Sequence, residues 1–448
     1  MLWRKIEGEL AAWKANRTRQ ALLVTGARQV GKTTAVRAFA EREYRSLAEV
    51  NFYGNPVAVE TVSRATSADD LLMRLSVLSG QTIVPGETLL FLDEVQECRD
   101  LVTWVKFLAE GTGQDMVLSG SLLGLDAFSH IRSLPVGFLQ KARMHPLDFE
   151  EFCRAEGLPP EAWRIMEGAV RAAEPVPGYL HDRLMELFRL YVLVGGMPDA
   201  VQAHVDSRQI GPVRNAQRAV FDMYEDDISK YVADPVEARQ VRMVYESIPG
   251  QLNAPSKRFK YARLGKNLRF ANMETAFDWL SAAGVAIEAT RVGEPSFPLG
   301  LSEDRGSLKL FMGDVGVLTS RLMGDVALDV LNGATAINYG SIFENAVAQE
   351  LAAHGLAPHY YFSKRKGEVD FVVEDPDTGE VALIEVKSGK DYKRHSALNN
   401  LLADPGVAGS APRAAVLCDG NVERGEGRVY LPVYAVSLLR RSGGGILP

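Results

Sequence analysis

The sequence contains few cysteines and no long apolar run. Only three of its 448 residues are cysteine, Cys98, Cys153 and Cys418, and they lie far apart in the chain. An odd number of scattered cysteines argues against a disulfide framework or a cysteine-type zinc site, and it suits a reducing compartment. No apolar stretch approaches membrane-spanning length, and the N-terminal segment lacks the apolar centre of a signal peptide. We therefore expect a cytoplasmic protein without a membrane partner.

The sequence also lacks an excess of positive charge. Lysine and arginine number 50 against 57 aspartate and glutamate residues, so the formal net charge is −7. The molecule as a whole does not attract nucleic acid, and any surface that binds nucleic acid must be a local patch. Internal repeats and low-complexity tracts are absent. A chain of this length and composition is expected to form about two to four globular domains.

The first third of the chain alternates predicted strands with predicted helices. Apolar segments at 21–25, 87–97 and 114–124 each have the character of a short buried strand. Strands that alternate with helices form parallel sheets covered on both faces, so we expect an α/β fold here. This first domain is predicted to span 1–152.

Three further parts are predicted after the first domain. Proline-bearing breaks bound a set of helical segments at 153–235. At 236–305, short helices precede a predicted hairpin, a pattern that suits a winged-helix module. Helices and strands alternate again at 306–448, which predicts a small α/β domain.

The segment "GARQVGKT" at 26–33 has the spacing G-x-x-x-x-G-K-[ST] of a phosphate-binding loop. Gly26 and Gly31 permit the tight bend that points several backbone N–H groups at one phosphate. The Lys32 ammonium is expected to reach the β- and γ-phosphates, and the Thr33 hydroxyl to bind Mg²⁺. An accidental glycine-rich turn is the alternative, but the segment lies between a predicted strand and a predicted helix. The residues predicted to bind ATP are Gly26, Ala27, Arg28, Gln29, Val30, Gly31, Lys32, Thr33, Thr34 and Ser119.

Acidic residues end the second predicted strand, in "LLFLDEVQE". Asp93 is predicted to hold Mg²⁺, and Glu94 to orient and activate the attacking water. Without the phosphate-binding loop, a buried strand with a solvated acidic end would be the better interpretation. Ser119, at the end of the third strand, is either a sensor of the γ-phosphate or part of a serine-rich turn. Arg132 and Arg143 are candidates for an arginine finger, and neither is preferred.

Several segments resemble a known family. "GARQVGKTT", "FLDEVQE", "YVLVGGMPDAV" and "GEVDFV…IEVKSG" occur in this order, with further similar segments between them. Together they resemble the prokaryotic AAA-type ATP-binding proteins that carry a C-terminal domain of unknown function, numbered 4143. The resemblance implies an AAA-like P-loop ATPase core, a helical lid, a winged-helix segment and a restriction-endonuclease-like C-terminal fold, in the order of the four predicted parts. A homo-oligomer is a further expectation.

The segment "GEVDFVVEDPDTGEVALIEVKSGK" resembles the PD-(D/E)XK pattern of restriction-like nucleases. Strand alternation places Glu385 and Lys387 on one face, and a turn in "EDPDTGE" brings Asp370 beside Glu385. The two carboxylates are predicted to bind Mg²⁺, with Lys387 polarising the attacking water. Glu344 is expected to supply a further acid to the metal site, as the family pattern implies. The alternative is an exposed ion-pair cluster on a hairpin.

The segment "KRFKYARLGKNLR" at 257–269 is rich in basic residues and contains no acid. Such a patch suits the phosphates of a nucleic-acid backbone, with DNA favoured and RNA left open. The alternative is a solvated basic face on an acidic molecule. The residues predicted to bind nucleic acid are Lys257, Arg258, Lys260, Arg263 and Lys266.

Two functions of different classes follow from these patterns. The first is an ATP-hydrolysing enzyme that binds nucleic acid and uses its C-terminal domain as a nucleotide-controlled, Mg²⁺-dependent nuclease. The second is an ATP-switched interaction or signalling protein whose nuclease-like domain is a catalytically silent scaffold. The intact set of Asp370, Glu385, Lys387 and Glu344 favours the first function, and the acidic net charge favours the second.

Overall fold

The computed structural model describes residues 2–16, 20–121, 136–323, 339–389, 391–408, 412–440 and 446–447. The chain forms two compact units. The first unit comprises Met1–His145 and Ala282–Gly284, and the second comprises Pro146–Ser281 and Val285–Pro448. The predicted four-part division of the chain stays a prediction.

The first unit is built on a five-stranded parallel sheet with the strand order β2-β3-β4-β1-β5. Its strands are β1 (Ala21–Gly26), β2 (Ser46–Asn51), β3 (Thr88–Asp93), β4 (Met116–Ser121) and β5 (Leu139–Arg143). Every residue of β1, β3 and β4 is buried, as expected for central strands covered on both faces. The predicted parallel sheet is therefore confirmed.

Helices flank this sheet. They are α1 (Ile6–Asn16), α2 (Lys32–Glu43), α3 (Pro56–Ser63), α4 (Ala68–Ser79) and α5 (Arg99–Thr112). The sequence sets the ends of α4 in a simple way. The Ser67 hydroxyl accepts a hydrogen bond from the Asp70 N–H at 3.1 Å, and Gly80 ends the helix at a φ of 68°. Leu71 and Leu75 of this helix belong to the apolar core that covers one face of the sheet.

The second unit contains many helices, some before and some between its strands. They are α6 (Phe149–Ala155), α7 (Pro160–Arg171), α8 (Gly178–Val194), α9 (Pro198–Ser207), α10 (Ile210–Tyr231), α11 (Pro235–Leu252), α12 (Glu274–Ala282), α13 (Val315–Met323), α14 (Tyr339–Ala353), α15 (Ser396–Leu402) and α16 (Pro405–Ala408). Asp148 and Glu151 form a capping box at the start of α6, so two otherwise unpaired backbone N–H groups are satisfied. Within the described ranges, no helix combines the length and apolar character needed to cross a bilayer.

An eight-stranded mixed sheet lies in the second unit, with the order β12-β13-β11-β10-β9-β8-β6-β7. Its strands are β6 (Ala286–Val292), β7 (Glu303–Met312), β8 (His359–Ser363), β9 (Gly367–Asp375), β10 (Glu380–Val386), β11 (Arg413–Cys418), β12 (Glu423–Gly425) and β13 (Arg428–Pro432). The predicted hairpin of β9 and β10 is antiparallel, as expected from its turn. Strand β10 also pairs in parallel with β11, so this hairpin lies inside the sheet.

The hairpin predicted as part of a winged-helix module belongs to the eight-stranded sheet. Its strands are β6 and β7, which pair with each other at one end of the eight-stranded sheet. Strand β6 continues the sheet through a parallel pairing with β8. A wing is a hairpin that stands apart from a larger sheet, so a separate winged-helix module at 236–305 is not confirmed.

A buried hydrogen-bond network joins three helices of the second unit. The Tyr191 hydroxyl on α8 donates to Glu350 Oε1 on α14 at 2.9 Å, and it accepts from Gln349 Nε2 at 3.0 Å. Asp314, just before α13, accepts the Gly196 N–H at 2.6 Å, and burial raises the pKa of its carboxyl to about 6. Buried polar groups of this kind must be paired to be tolerated. This network explains why the apolar segments "YVLVGG" and "AVAQEL" contain the polar residues Tyr191, Gln349 and Glu350.

Candidate active sites

The phosphate-binding loop connects β1 to α2. Gln29 and Gly31 have positive φ values of 61° and 94°, a conformation that turns successive backbone N–H groups toward one concave side. Gly26 is required for a different reason. A Cβ atom at this position would lie 2.2 Å from the Met144 carbonyl oxygen, which no side chain tolerates. The loop therefore has the backbone shape that anion binding needs.

Lys32 lies at the start of α2 with its side chain turned back over the loop. Its Nζ donates to the carbonyl oxygens of Gly26 at 3.0 Å and Ala27 at 2.9 Å. Burial lowers the pKa of this ammonium, while the Glu94 and Asp93 carboxylates oppose that shift. The loop thus holds a buried cation whose present partners are neutral carbonyl groups.

Asp93, the last residue of β3, is held by three donors. The Thr33 hydroxyl and the Asn51 side-chain amide donate to Asp93 Oδ2 at 3.0 and 2.9 Å, and the Ser119 hydroxyl donates to Oδ1. Burial raises the pKa of the Asp93 carboxyl, and the hydrogen bond from Ser119 opposes this effect. The sequence predicted Asp93, Thr33 and Ser119 but not Asn51, which ends the neighbouring strand β2. The sequence does place the polar residue Asn51 at the end of β2, but only the pairing of β2 with β3 brings it to Asp93.

Glu94 follows Asp93 in a left-handed conformation, with a φ of 56°. Its backbone N–H donates to Ser119 Oγ at 3.3 Å, so Ser119 contacts both acidic residues. A non-glycine residue with positive φ is uncommon, and such strain is frequent at functional sites. The two carboxylates have different partners, since Asp93 accepts from the Thr33 hydroxyl and Glu94 Oε2 accepts from the Gln96 side-chain amide.

The other residues predicted for this site lie around it. Val30 is buried, and its carbonyl oxygen accepts a hydrogen bond from the Arg4 guanidinium at 2.7 Å. The Arg28 guanidinium lies 5.5 Å from the centre of the Tyr53 ring, and Thr34 is exposed on α2. Of the two arginine-finger candidates, Arg143 is the last residue of β5 and is exposed. Arg132 lies outside the described residues.

In the second unit, the predicted nuclease-like residues come together on β9, β10 and α14. The register of the hairpin places Glu385 next to Asp370, and the Val386 N–H donates to Asp370 Oδ2 at 2.9 Å. Burial, followed by the charge of Asp370, raises the pKa of Glu385 to about 8. Lys387 Nζ lies 2.6 Å from Glu385 Oε1. Burial lowers the pKa of Lys387, but the charge and hydrogen bond of Glu385, together with the charges of Asp370 and Glu344, leave this pKa above its usual value.

Two residues that the sequence analysis missed complete this site. Lys309 on β7 is fully buried, and its Nζ lies 2.8 Å from Glu368 Oε1 on β9. The same ammonium lies 3.5 Å from Glu344 Oε2 and 3.7 Å from Asp370 Oδ1. Burial lowers the pKa of Lys309, yet the charges of Glu344, Asp370 and Glu368 together raise it well above its usual value. A protein cation therefore lies among carboxylates that were predicted to bind a metal ion. We call Glu344, Glu368, Asp370 and Glu385 the acidic cluster.

Part of the predicted nucleic-acid patch also contacts this cluster. Lys257 Nζ pairs with Glu344 Oε1, and Arg258 Nε lies 3.5 Å from Glu368 Oε2. The Arg258 guanidinium also stacks 3.9 Å above the centre of the Phe362 ring. These two cations are therefore engaged by carboxylates within the second unit. The remaining patch residues are exposed, and they are Lys260, Arg263 and Lys266.

The acidic cluster is balanced by protein cations when every group is ionised. Four carboxylates face Lys257, Arg258, Lys309 and Lys387, which gives a formal charge of zero. In the part of the chain that the structure describes, no group of three or more His, Cys, Asp or Glu residues is arranged to hold a metal ion. The donor set of Thr33 and Asp93 in the first unit fits Mg²⁺, whereas the acidic cluster already has Lys309 at its centre and does not. The metal-binding role of Glu344, Asp370 and Glu385 stays a prediction.

Three segments of the chain match protein-family models. Residues 18–153 match an AAA domain, 185–326 a domain of unknown function numbered 8612, and 339–436 a domain of unknown function numbered 4143. Together with the parallel sheet and the loop, the first match identifies an AAA-type P-loop domain. The expected 4143 domain is present, and its likeness to restriction endonucleases is not confirmed.

Solved structures similar to the chain include three from prokaryotes. A Walker-type ATPase of Pyrococcus abyssi is 14% identical with a TM-score of 0.45, and the match covers 72% of this chain and 96% of that one. The ORC1 protein of Aeropyrum pernix in complex with DNA is 15% identical, with a TM-score of 0.30 and coverage of 74% and 94%. The RuvB branch migration motor of Thermotoga maritima is 15% identical, with a TM-score of 0.27 and coverage of 69% and 92%. None of the curated proteins compared with the chain matches it.

Proposed function

We propose that the AAA-type domain at 18–153 binds ATP together with Mg²⁺ and hydrolyses it. One observation carries this proposal, the 3.0 Å contact between Thr33 Oγ1 and Asp93 Oδ2. It brings a hydroxyl and a carboxylate oxygen together where the loop meets the end of β3. Oxygen ligands of this kind suit Mg²⁺ next to a nucleotide phosphate.

Lys32 is proposed to bind the β- and γ-phosphates of ATP. Its ammonium now donates to two loop carbonyl oxygens, Gly26 O and Ala27 O. A phosphate oxygen is a stronger acceptor than a carbonyl oxygen because it is charged, so we expect the ammonium to exchange partners when ATP binds. The lysine remains hydrogen-bonded in both states, and in the second state the phosphate adds to the charge compensation that the Glu94 and Asp93 carboxylates already provide.

Glu94 is proposed to take the proton from the attacking water. Its carboxylate accepts a hydrogen bond from the Gln96 side-chain amide, whereas the Asp93 carboxylate accepts from Thr33, so the two acids can have separate roles. Ser119 contacts Asp93 Oδ1 and the Glu94 N–H, and we propose that it positions both residues. Bound Mg²⁺ would neutralise charge on the β- and γ-phosphates.

The role of Thr33 tests this assignment. Thr33→Val replaces the hydroxyl by a methyl group of similar volume, whereas Thr33→Ser retains the hydroxyl. We expect Thr33→Val to reduce Mg²⁺-dependent ATP turnover by about 10²-fold or more, and Thr33→Ser to keep most of it. Equal turnover by the two variants would exclude a metal-binding role for this hydroxyl.

For the second unit, we propose the scaffold alternative in place of Mg²⁺-dependent cleavage. The observation that favours it is the position of Lys309, whose buried ammonium lies among Glu344, Glu368 and Asp370. A divalent cation at the same place would have to overcome the repulsion of this fixed positive charge. The protein would then be an ATP-switched interaction protein. Incubation with plasmid or single-stranded DNA, with Mg²⁺ or Mn²⁺ and with or without ATP, should give no cleavage. Nicking by the parent that is lost in Asp370→Asn would contradict the scaffold proposal and support the nuclease function.

The class of partner that we propose is nucleic acid, with DNA favoured over RNA. The support is the exposed part of the basic patch, Lys260, Arg263 and Lys266. These side chains lie outside the acidic cluster, so their charges remain accessible to backbone phosphates. Their number is small, and we therefore expect weak, salt-sensitive binding without sequence preference.

A further inference from the structure

A cavity of about 620 Å³ lies in the second unit, away from the acidic cluster. It is bounded by the end of α7, the start of β11 and the hairpin of β12 and β13. Four arginines line it, Arg171, Arg413, Arg424 and Arg428. Among the described residues that line the cavity, arginine is the only charged or polar type. The other lining residues are glycine, alanine, proline, valine and leucine, so the four arginines give the lining side chains a positive charge.

Backbone carbonyl groups hold three of these guanidinium groups in place. Arg424 Nη2 donates to the Ala172 carbonyl oxygen at 2.8 Å, just after the end of α7. Arg413 Nη1 donates to the Leu447 carbonyl oxygen at 2.7 Å. Arg428 Nε donates to a carbonyl oxygen at 2.9 Å, and its Nη1 contacts His395 and Asn399. Neutral acceptors fix the orientation of a guanidinium without cancelling its charge.

The positive charge of the cavity is only partly compensated. Arg171 Nη2 lies 3.0 Å from Glu167 Oε1, and Arg413 Nε lies 3.5 Å from Glu380 Oε1. Arg424 and Arg428 have no carboxylate within 4.0 Å among the described residues. Two uncompensated guanidinium groups therefore face one cavity, in a chain whose net charge is −7. Like charges held together are stabilised by a bound anion.

We propose that this cavity binds a phosphate-bearing anion through Arg424 and Arg428. A guanidinium has five N–H donors in a planar fork that matches two phosphate oxygens, and each of these arginines uses only some of its donors internally. The volume lies within the range of small-ligand sites, and Gly427 contributes no side chain to fill it. The phosphate groups can come from a free nucleotide or polyphosphate, or from a nucleic-acid backbone.

The experiment uses the full chain with Lys32→Ala, so that the phosphate-binding loop does not contribute. Binding of inorganic pyrophosphate is measured by calorimetry, and binding of a fluorescent ten-nucleotide single strand by anisotropy. We expect at least one probe to bind, and Arg428→Gln to weaken that binding about tenfold or more. Arg164→Gln is the matched control, because Arg164 lies on α7 in an exposed pair with Glu161 and does not line the cavity.

The two probes distinguish the sources of the phosphate. Arginine-dependent binding of pyrophosphate indicates a free nucleotide or polyphosphate, and arginine-dependent binding of the oligonucleotide alone indicates a nucleic-acid backbone. Arg424→Gln is a second variant, since this side chain is exposed and its loss should not affect folding. The proposal is overturned if neither probe binds, or if Arg428→Gln and Arg424→Gln both bind as tightly as the Arg164→Gln control. ATP turnover by the chain with Lys32 intact is a separate measurement, so this result does not depend on the proposed ATPase function.

Discussion

Lys309 Nζ on β7 lies 2.8 Å from Glu368 Oε1 on β9, although β6 and β8 separate these two strands in the sheet. The ammonium is fully buried, and its pKa is well above the usual value because Glu344, Asp370 and Glu368 surround it. Burying a lysine without such partners would cost several kcal/mol, so the carboxylates and the lysine require each other. In this respect the acidic cluster resembles an internal ion-pair network more than an empty metal site.

The first prediction concerns metal binding at the acidic cluster. In the absence of nucleotide, calorimetry on the parent protein should detect no Mn²⁺ binding tighter than about 1 mM. Lys309→Met removes the central cation and leaves excess negative charge, so the variant should bind Mn²⁺ at least about tenfold more tightly. Lys366→Met is the control, because Lys366 pairs with Asp404 on the surface. Micromolar Mn²⁺ binding by the parent would contradict the scaffold proposal.

The second prediction concerns pH. Burial and Asp370 raise the pKa of Glu385 from 4.5 to about 8, so the folded protein keeps a proton that the unfolded chain loses at lower pH. The free energy of unfolding should therefore fall as pH rises from 4.5 to 8, by up to about 5 kcal/mol from this group. Glu385→Gln carries no such proton, and it should flatten this dependence. Urea unfolding at pH 5, 6.5 and 8 measures the difference, and parallel curves for parent and variant would exclude the shift.

The third prediction separates the two halves of the basic patch. Lys260→Ala, Arg263→Ala and Lys266→Ala together should weaken binding to single- and double-stranded DNA, and each lost phosphate contact should reduce the salt slope by up to about one unit. Lys257→Ala should leave the slope unchanged, because Lys257 is paired with Glu344. A flatter salt slope for Lys257→Ala, together with an unchanged salt slope for the triple variant, would show that the binding surface lies near the acidic cluster instead.

The fourth prediction concerns the shape of the phosphate-binding loop. Gly26→Ala would place its Cβ 2.2 Å from the Met144 carbonyl oxygen, so the loop must shift and nucleotide binding should be lost. Gly8→Ala is the control, since a Cβ at Gly8 on α1 meets no atom within 4 Å. It should leave ATP binding unchanged and stabilise the helix by about 0.5–1 kcal/mol. Normal ATP affinity in Gly26→Ala would show that the loop conformation is not needed.

The sequence predicts those parts of the sites that depend on local spacing. The loop from Gly26 to Thr33 is one continuous segment, and its spacing is set by the geometry of a single turn. Asp370, Glu385 and Lys387 follow from strand alternation and one turn. Lys309 and Lys257 do not follow from local spacing. In the sheet β6 and β8 lie between β7 and β9, and only this strand order lets the Lys309 side chain reach Glu368. Asn51 was missed for the same reason, since its contact with Asp93 depends on β2 lying beside β3.

The winged-helix prediction shows a related limit of local patterns. The sequence predicts the hairpin at 284–299, but its first strand, β6 at 286–292, pairs with β7 at 303–312, beyond that segment. Whether such a hairpin stands alone or joins a larger sheet depends on its outer edge, and β6 pairs there with β8, far along the chain. The local pattern contains no information about that pairing.

The most direct test of the ATPase proposal is Mg²⁺-dependent phosphate release from ATP by the parent and by Glu94→Gln. The parent should turn over ATP, and Glu94→Gln should bind it with similar affinity but release phosphate about 10²–10⁴-fold more slowly, because an amide cannot accept the proton of water. Glu87→Gln is the matched control, since Glu87 precedes the opposite end of β3 and pairs with Arg45 on the surface. The account is contradicted if the parent releases no phosphate, or if Glu94→Gln releases it at the parental rate.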